Sequence, residues 1–404
     1  MATNDIITAV GLTREELRVL VNNLKFTMNC YKGYNANNFG NASPKEGTVL
    51  HVRIPNEYKS HVGSTMVLQD VKELTVPIEL TTQRHIAFSA STVEYTTDID
   101  NFSRMFLSPM MVQMANDIDF DGTDLYKKVY NQIGSAGVTP ASVAIYLDAG
   151  VVLDNNSVPR DNRRVALLNP IAQAAVVENL SGLFNPSNDI SRQNRQGQMG
   201  DALGFSFEMD QNLKIHNTGN FGTAADLAAD MVEGSNVISL TNFSDLVGDP
   251  TLEVGDIFTV AGVNSVNWRN KQDTSRLQQF VVESAVWSDP NLVVTVAPAA
   301  YASQINPLQN VTALGASGAE VLFAGDQNSD YQINLIFHTD AFVFVSASLF
   351  MDSGLPFAAR ESVDGISIKT VRDYDITEDK LPCRSDVLYG FACPRPQLAC
   401  RVMG

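Results

Sequence analysis

Residues 252–263 read LEVGDIFTVAGV, in which a Gly-Asp turn precedes a run of apolar and β-branched residues and a second glycine ends it. Glycine and aspartate favour turns, and a short apolar run bounded by turn residues is typical of a buried strand. The segment therefore predicts a strand over Ile257–Val260. The turn at Gly255 and Asp256 is where we expect a β-sheet to nucleate.

The region around this strand, residues 222–326, differs in composition from its flanks. It is rich in Gly, Asn and Asp, and its 3 basic and 12 acidic residues give −9 of the chain's net charge of −17. Turn clusters separate further apolar runs at Val237–Leu240, Phe280–Val282 and Leu292–Val296. Short strands at regular spacing predict a small all-β barrel or sandwich. We interpret residues 222–326 as an inserted β-barrel domain whose two ends lie close together.

The pattern before the insert, over residues 138–221, is mixed. Arg164–Leu168 predicts a short buried strand, and the following Asn169-Pro170 pair is the N-cap and N1 signature of a helix. Thr139-Pro140 predicts another helix in the same way. The apolar face predicted for that helix consists of Val143, Leu147, Val151 and Leu153.

The pattern after the insert, over residues 327–404, is rich in strands. Tyr331–Phe337 and Ala341–Ser346 predict two strands that return to the mixed domain, and Gly365–Val371 and Val387–Ala392 predict two more. The chain as a whole therefore belongs to the α+β class.

Residues 96–137 predict a long helix. Apolar residues recur at every fourth position, and Pro109 should kink or interrupt the first half. Gly134 and Gly137 should end the helix. The predicted stripe consists of Phe102, Phe106, Met110, Met114 and Ile118, and continues through Leu125, Val129 and Ile133.

Residues 47–95 predict extended β-structure in three alternating runs, at Val49–Ile54, Val71–Leu80 and His85–Val93. Pro77 indicates an edge strand, since proline cannot donate a ladder hydrogen bond. A long two-stranded ribbon is not stable alone, so we expect its partner to be a neighbouring subunit.

Residues 1–46 predict an N-terminal arm. Thr13 and Glu16 form a T-x-x-E capping box, which predicts that a helix begins there. Its apolar face is predicted to consist of Leu17, Leu20, Val21 and Leu24, before a polar stretch at Tyr34–Gly47.

The sequence shows no pattern typical of catalysis. P-loop, G-x-S-x-G, H-E-x-x-H and Rossmann glycine motifs do not occur. We predict no enzyme activity, no catalytic residue, no cofactor and no metal site. The four cysteines match no metal-binding spacing and are expected to be buried free thiols.

One acidic run resembles half of a calcium loop. Asp117, Asp119, Asp121 and Gly122 match the first positions of an EF-hand, but the twelfth position is Lys128. A cation there opposes metal binding, so we favour a polar break in the long helix.

The charge of the chain bears on nucleic-acid binding. With a net charge of −17 it is a poor candidate for wrapping DNA, because phosphate binding relies on Lys and Arg. Arg192 and Arg195 could contact DNA or another subunit, and a solvated loop or a contact between copies is favoured over base reading.

The order of these elements resembles the Hong Kong-97-type fold of tailed-phage major capsid proteins. The insert resembles that of the short-tailed Salmonella phage P22 type of coat protein. Motifs resembling that family occur in the family's order, at Leu167–Pro170, Leu252–Val263, Phe280–Val282, Leu292–Val296, Gly365–Ile368, Cys383-Arg384, Leu388–Gly390 and Arg395-Pro396.

This resemblance implies an assignment for each segment. Residues 1–46 are the N-terminal arm, 47–95 the extended β-ribbon (E-loop), and 96–137 the spine helix of the P domain. Residues 138–221 are the A domain, 222–326 the inserted barrel, and 327–404 the return strands of the A and P domains.

The resemblance also implies function. The expected role is a major capsid protein that self-assembles, as pentamers and hexamers, into an icosahedral shell enclosing double-stranded DNA without sequence-specific binding. Scaffolding protein and portal are expected partners, no membrane is involved, and the location is the virion, assembled in the host cytoplasm. Three alternatives stay open: a secreted or surface β-rich glycan-binding protein, a hydrolase with an unrecognised site, and a nanocompartment shell.

Overall fold

The computed structural model describes residues 9–33, 49–58, 60, 62–64, 66, 68, 74–91, 107–180, 200–304, 306–351, 354 and 357–404. The chain is a mixed α/β protein that divides into two compact units. The first comprises residues 1–53, 75–122 and 342–394, and the second comprises residues 54–74, 123–341 and 395–404. No helix in the described part of the chain is long and apolar enough to span a membrane.

The described elements are named here in chain order. The helices are α1 (Ala9–Asn23), α2 (Ser108–Thr123), α3 (Val143–Asn155) and α4 (Pro170–Leu180). The strands are β1 (Val49–Arg53), β2 (Thr75–Glu79), β3 (Thr82–Ser91), β4 (Gln132–Ile133), β5 (Arg164–Leu168), β6 (Gly200–Ala202), β7 (Phe205–Met209), β8 (Ile215–Asn217), β9 (Ala224–Leu227), β10 (Val237–Thr241), β11 (Ile257–Val266), β12 (Asp273–Ser288), β13 (Asn291–Ala297), β14 (Glu320–Phe323), β15 (Asp330–His338), β16 (Val343–Ala347), β17 (Phe357–Val363), β18 (Ile366–Arg372), β19 (Lys380–Ala392) and β20 (Ala399–Met403).

The first unit is built around a five-stranded sheet. Its order is β16-β19-β18-β17, and β3 pairs with β19 along its whole length. β1 and β2 form a separate antiparallel pair in which Pro77 lies opposite His51, so the predicted edge position of Pro77 is confirmed. The third alternating run is therefore not part of a free ribbon, because β3 is paired within the same chain.

Helix α1 packs against β17 and β18 through a leucine face. Leu17, Leu20 and Leu24 are buried as predicted. The predicted capping box is wrong, because Thr13 and Glu16 lie inside the helix. The Thr13 hydroxyl donates to the carbonyl of Ala9 one turn earlier, 2.9 Å away, and Glu16 is fully buried.

Helix α2 begins next to Pro109 and ends at Thr123. Pro109 thus occupies the first turn of the α-helix, where its missing N–H is tolerated, and Leu107 just before it is π-helical, so the regular α-helix is interrupted near Pro109. Met114 and Ile118 are buried as predicted. Phe102 and Phe106 lie outside the described residues.

The predicted continuation of this helix is also wrong. A 3-10 helix at Asp124–Lys128 follows α2, Val129 is extended, and Ile133 belongs to strand β4. Apolar residues at i and i+4 also occur by chance in an extended segment. Periodicity alone therefore did not distinguish a continuing helix from extended chain.

The second unit contains a seven-stranded sheet of order β4-β20-β15-β5-β7-β6, with β8 also paired to β15. β5 is buried along its whole length, as predicted. The Asn169 side chain accepts a hydrogen bond from the Ala172 N–H at 2.6 Å, which confirms the predicted N-cap of α4.

The predicted start and face of α3 are wrong in part. Ser142 is the N-cap, its hydroxyl accepting from the Ala144 N–H at 3.2 Å, so the helix begins after Thr139-Pro140. Leu153 is buried, but Leu147 is 51% and Val151 is 47% exposed. The buried face instead uses Tyr146, Ala149, Gly150 and Leu153.

Six strands of the second unit close into an antiparallel barrel of order β10-β13-β12-β11-β14-β9, which the pairing of β9 with β10 completes. The four predicted strands of the insert are β10, β11, β12 and β13. The barrel has its own core, made of alternate residues on each strand, including Leu240, Phe258, Phe280, Val294 and Val321.

The chain enters and leaves the barrel through two adjacent segments. The Thr218 N–H donates to the Ser329 carbonyl at 3.0 Å, and the Asn328 N–H donates to the Gly219 carbonyl at 3.0 Å. The Thr218 hydroxyl also donates to the Asp326 carbonyl at 2.6 Å. The expected closeness of the two ends is therefore present.

Candidate functional site: the buried junction of barrel and sheet

The barrel meets the seven-stranded sheet through a buried carboxylate, that of Asp256, just before β11. Its Oδ1 lies 2.9 Å from Nε2 of His216. Its Oδ2 accepts from the backbone N–H groups of Gly219 at 3.1 Å and Glu253 at 2.8 Å. The Gly-Asp turn of the sequence therefore ties barrel strand β11 to β8 and to the segment that enters the barrel.

His216 connects this carboxylate to a buried phenol. Its Nδ1 lies 3.0 Å from the hydroxyl of Tyr126, and the two rings meet edge to face. Because Asp256 can only accept, Nε2 carries the proton and Nδ1 accepts from the tyrosine hydroxyl. Burial raises the pKa of Tyr126 to about 12, so this hydroxyl stays protonated at neutral pH.

Arg401, on β20, supplies a positive charge to the junction. It is fully buried, and its Nη2 donates to the Gly255 carbonyl at 2.8 Å. Its guanidinium lies 5.7 Å from the centre of the Tyr126 ring, a cation–π distance. Nε and Nη1 have no hydrogen-bond partner within the described part of the chain.

Two opposing effects act on this arginine. Burial lowers the pKa of Arg401 to about 10, while the neighbouring Tyr126 and Asp256 act in the opposite direction. Arg401 is therefore charged at neutral pH and faces the negative charge of Asp256. A buried charge of either sign is strongly destabilising without its partner.

Gly255 is required by this geometry. Its φ is +105°, and a Cβ added there would lie 3.1 Å from Cγ of Lys127 and 3.2 Å from Cε1 of His216. Glycine has neither the steric conflict nor the conformational penalty.

Polar contacts at the edge of the junction continue the docking. Gln279 of the barrel accepts from the Gln132 N–H at 2.6 Å and donates to its carbonyl at 2.9 Å. Lys128 forms an ion pair with Glu283 at 2.9 Å, and Arg276 pairs with Asp148. The sheet therefore holds the barrel by charges and hydrogen bonds over several elements.

The chemistry of the junction favours a structural role. A histidine between a carboxylate and a hydroxyl could relay protons, but His216 and Asp256 are only 3% and 2% exposed. A substrate cannot reach the pair, and neither ring nitrogen of the histidine is left for another partner.

The acidic run of α2 is divided among different partners. Asp119 accepts from the Lys25 N–H at 2.6 Å and from the Thr27 N–H at 2.9 Å. Asp121 accepts from Arg84 at 2.7 Å and from the Tyr389 hydroxyl at 2.5 Å. Asp117 also faces Arg84, with its Oδ2 3.9 Å from Nη1, so Asp117 and Asp121 share one arginine while Asp119 is directed to the chain after α1. No group of three or more potential metal ligands occurs among the described residues.

Other residues noted in the sequence are placed as follows. Cys30, Cys383 and Cys400 are buried free thiols, and Cys393 is a half-buried free thiol. Arg192 and Arg195 lie outside the described residues. Of the residues that form the junction, the sequence indicated only the turn at Gly255 and Asp256. His216 and Arg401 lie 40 or more residues away from Asp256, and no local spacing connects them.

The fold is thus a mixed α/β body that holds a closed barrel through buried hydrogen bonds. The chain matches the family described as P22 coat protein, gene protein 5, over residues 69–404. The chain belongs to the P22 coat protein family. It is a bacteriophage major capsid protein that forms the shell of the virion.

Several solved structures are also similar to the chain. A chain of Mycobacterium phage Che8 is 12% identical, covers 94% of this chain and 90% of its own, and has a TM-score of 0.49. A chain from the mature capsid of bacteriophage PhiM1 is 10% identical, with coverages of 88% and 82% and a TM-score of 0.44. The CUS-3 coat protein I-domain is 23% identical, covers 26% of this chain and 97% of its own, and has a TM-score of 0.20. No curated protein matches the chain.

Proposed function

We propose that many copies of this chain, arranged as pentamers and hexamers, build an icosahedral shell of the Hong Kong-97 type around double-stranded DNA. The family match over residues 69–404 is the observation that carries this proposal. In this assignment 1–46 is the N-terminal arm, 47–95 the E-loop and 96–137 the spine helix of the P domain. Residues 138–221 are the A domain, 222–326 the inserted barrel, and 327–404 the return strands of the A and P domains.

The fold supports this assignment in two respects. The barrel is closed, has its own core, and is entered and left through adjacent segments, as expected of an inserted domain. Helix α2 carries a buried face along Met111, Met114 and Ile118, as expected of a spine helix.

Charge supports enclosure of DNA without specific binding. The net charge of −17 gives the shell little attraction for phosphate, and the barrel region carries −9 of it. We therefore assign the barrel to the outer surface of the shell, away from packaged DNA.

The remaining elements of the proposal follow from this role. A scaffolding protein and a portal are the expected assembly partners, and assembly takes place in the cytoplasm of the bacterial host. The chain acts as a structural protein without catalysis and without a cofactor.

Electron microscopy of the purified full-length protein tests the proposal. Closed shells or polyheads are the expected products, with the scaffolding protein of the same phage supplied if needed. Light scattering that shows only monomers or dimers at every salt and crowding condition, with scaffold present, would contradict it.

The barrel has a test of its own. Residues 222–326, expressed alone, should give a monomeric β-protein that melts cooperatively and has a dispersed amide NMR spectrum. A collapsed amide spectrum would refute the independent domain, and a density map with the barrel on the inner wall would refute its outward position.

A further inference from the structure

A buried carboxylate on α1 has no countercharge. Glu16 is fully buried between the helix and the five-stranded sheet, and its Oε2 accepts from the hydroxyls of Thr370, on β18, and Ser385, on β19, the latter at 3.2 Å. Its Oε1 is buried without a hydrogen-bond partner in the described part of the chain. Ionised, this group would be a buried charge held by two neutral donors only, which is unfavourable.

The charged groups around Glu16 do not neutralise it. On α1, Arg14 pairs with Glu361 of β17 and Arg18 pairs with Glu15, each on the solvent side of the helix. On the sheet, the guanidinium of Arg372 lies 4.0 Å from the centre of the Phe357 ring. The Cys383 thiol, on β19, is neutral, since burial and the nearby Glu16 raise its pKa to about 12.

A second buried carboxylate of the same unit, that of Asp119, has more hydrogen-bond donors than Glu16. Asp119 accepts from two backbone N–H groups, those of Lys25 and Thr27, and from the Thr27 hydroxyl at 2.6 Å. These bonds fix the chain directly after α1. The segment whose docking depends on Glu16 therefore ends before Lys25, where the hydrogen bonds to Asp119 begin.

We propose that α1 is a latch on the five-stranded sheet whose hold is set by the protonation of Glu16, and that Leu24–Thr27 is its pivot. With Glu16 protonated the helix is docked firmly, and with Glu16 ionised it opens more often. The hold on α1 depends on the hydroxyls of Thr370 and Ser385, which donate to Oε2, and on Oε1, which has no partner among the described residues.

The direction and size of the effect follow from the titration. Burial raises the pKa of Glu16 from 4.5 to about 6, against the smaller opposite effect of the two hydroxyls. A group with a raised pKa in the docked state stabilises docking fully below its ordinary pKa and loses that contribution as the pH rises through 6. The opening equilibrium of α1 should therefore increase about eightfold between pH 5 and pH 8.

Hydrogen exchange with mass spectrometry on the unassembled full-length protein tests the latch. Protection factors of peptides from residues 9–23, corrected for intrinsic exchange, should fall about eightfold between pH 5 and pH 8. In Glu16→Gln the same peptides should show no such pH dependence. Glu15→Gln is the matched control, since it removes an exposed carboxylate one residue away and should behave like the wild type.

Two results would overturn the proposal. One is a pH dependence in Glu16→Gln equal to that of the wild type. The other uses the wild type alone and does not depend on the variant folding: protection over residues 9–23 that changes with pH no more than protection of barrel strand β12.

Discussion

Replacing Asp256 by asparagine isolates the charge at the barrel junction from its hydrogen bonds. The asparagine oxygen can take the place of Oδ2 and accept from the Gly219 and Glu253 N–H groups. Its Nδ2 can then donate to Nε2 of His216, provided that the histidine proton moves to Nδ1 and faces the Tyr126 oxygen. Each hydrogen bond of the Asp256 side chain is thus replaced by a hydrogen bond of asparagine to the same partner. Only the negative charge near Arg401 is lost.

The expected loss of stability depends on the contacts that Arg401 keeps in the variant. Arg401 keeps one hydrogen bond, to the Gly255 carbonyl, and loses the anion that compensates its buried charge. Removing one partner of a buried ion pair in direct contact costs about 3–5 kcal/mol, whereas Asp256 acts on Arg401 from beyond ion-pair distance. Because the hydrogen bonds are retained and the two charges are not in contact, we expect Asp256→Asn to lower the free energy of unfolding by about 2 kcal/mol, below that range.

A double-mutant cycle measures the interaction between Asp256 and Arg401 separately from the destabilisation that each substitution causes alone. Arg401→Met removes the cation together with its two unpartnered donors, so in its presence the loss of the Asp256 charge should matter less. The double variant should lose about 1–3 kcal/mol less than the sum of the two single losses.

The assay uses the positions of the two tryptophans. Trp268 and Trp287 both lie in the barrel region, so urea unfolding followed by tryptophan fluorescence reports on the barrel. Asp249→Asn is the matched control, because Asp249 is an exposed acid of the same region, and it should change stability by less than about 0.5 kcal/mol. Strict additivity in the cycle, or equal stabilities of Asp256→Asn and Asp249→Asn, would refute the reasoning.

Three further predictions concern other parts of the chain. Gly255→Ala should cost about 1–3 kcal/mol more than Gly262→Ala in the same fluorescence assay, since both have positive φ but only Gly255 would place a Cβ against Lys127 and His216. Met114→Asp should destabilise the protein by several kcal/mol while Phe120→Asp, on the exposed side of α2, changes the melting temperature little; equal melting temperatures would show that the face is wrongly assigned. Raising salt from 0.01 to 0.1 M, which shortens the Debye length from ~30 to ~10 Å, should promote association of chains of charge −17, and light scattering that falls steadily over this range would mean that attractive ion pairs dominate.

The sequence predicted those elements that local chemistry determines. The strand at Arg164–Leu168 is apolar in its last four residues, and Asn169-Pro170 contains both the cap and the first helical residue, so each was predictable from adjacent residues. Four of the six barrel strands were also found, because turn residues bound each of those apolar runs. Closure of the barrel was not predicted, since it depends on β9 and β14, two strands of only four residues that the apolar pattern did not reveal.

The errors have one physical cause, which is competition between local and long-range partners. Thr13 and Glu16 match a capping box, yet the Glu16 carboxylate bonds hydroxyls of Thr370 and Ser385 instead. Leu147 and Val151 match a helix face, yet they are exposed because α3 packs through Tyr146 and two small residues. A periodic pattern shows that a face exists but does not show which neighbour covers it.

The polar residues that the sequence left unexplained share a position in the fold. Asp119, Asp256 and Glu16 are all buried, and each bonds a segment far away in the chain: Thr27, His216 and Thr370 respectively. Apolar contacts tolerate small shifts of one element over another, whereas a buried carboxylate stays satisfied only when its particular donors are in place. These carboxylates therefore fix where α1, α2 and the barrel attach, while the apolar cores provide most of the stability. The three also differ in strength, from three N–H donors at Asp256 to two hydroxyls and one unpartnered oxygen at Glu16. That order places the most readily released attachment at α1 and the most permanent one at the barrel.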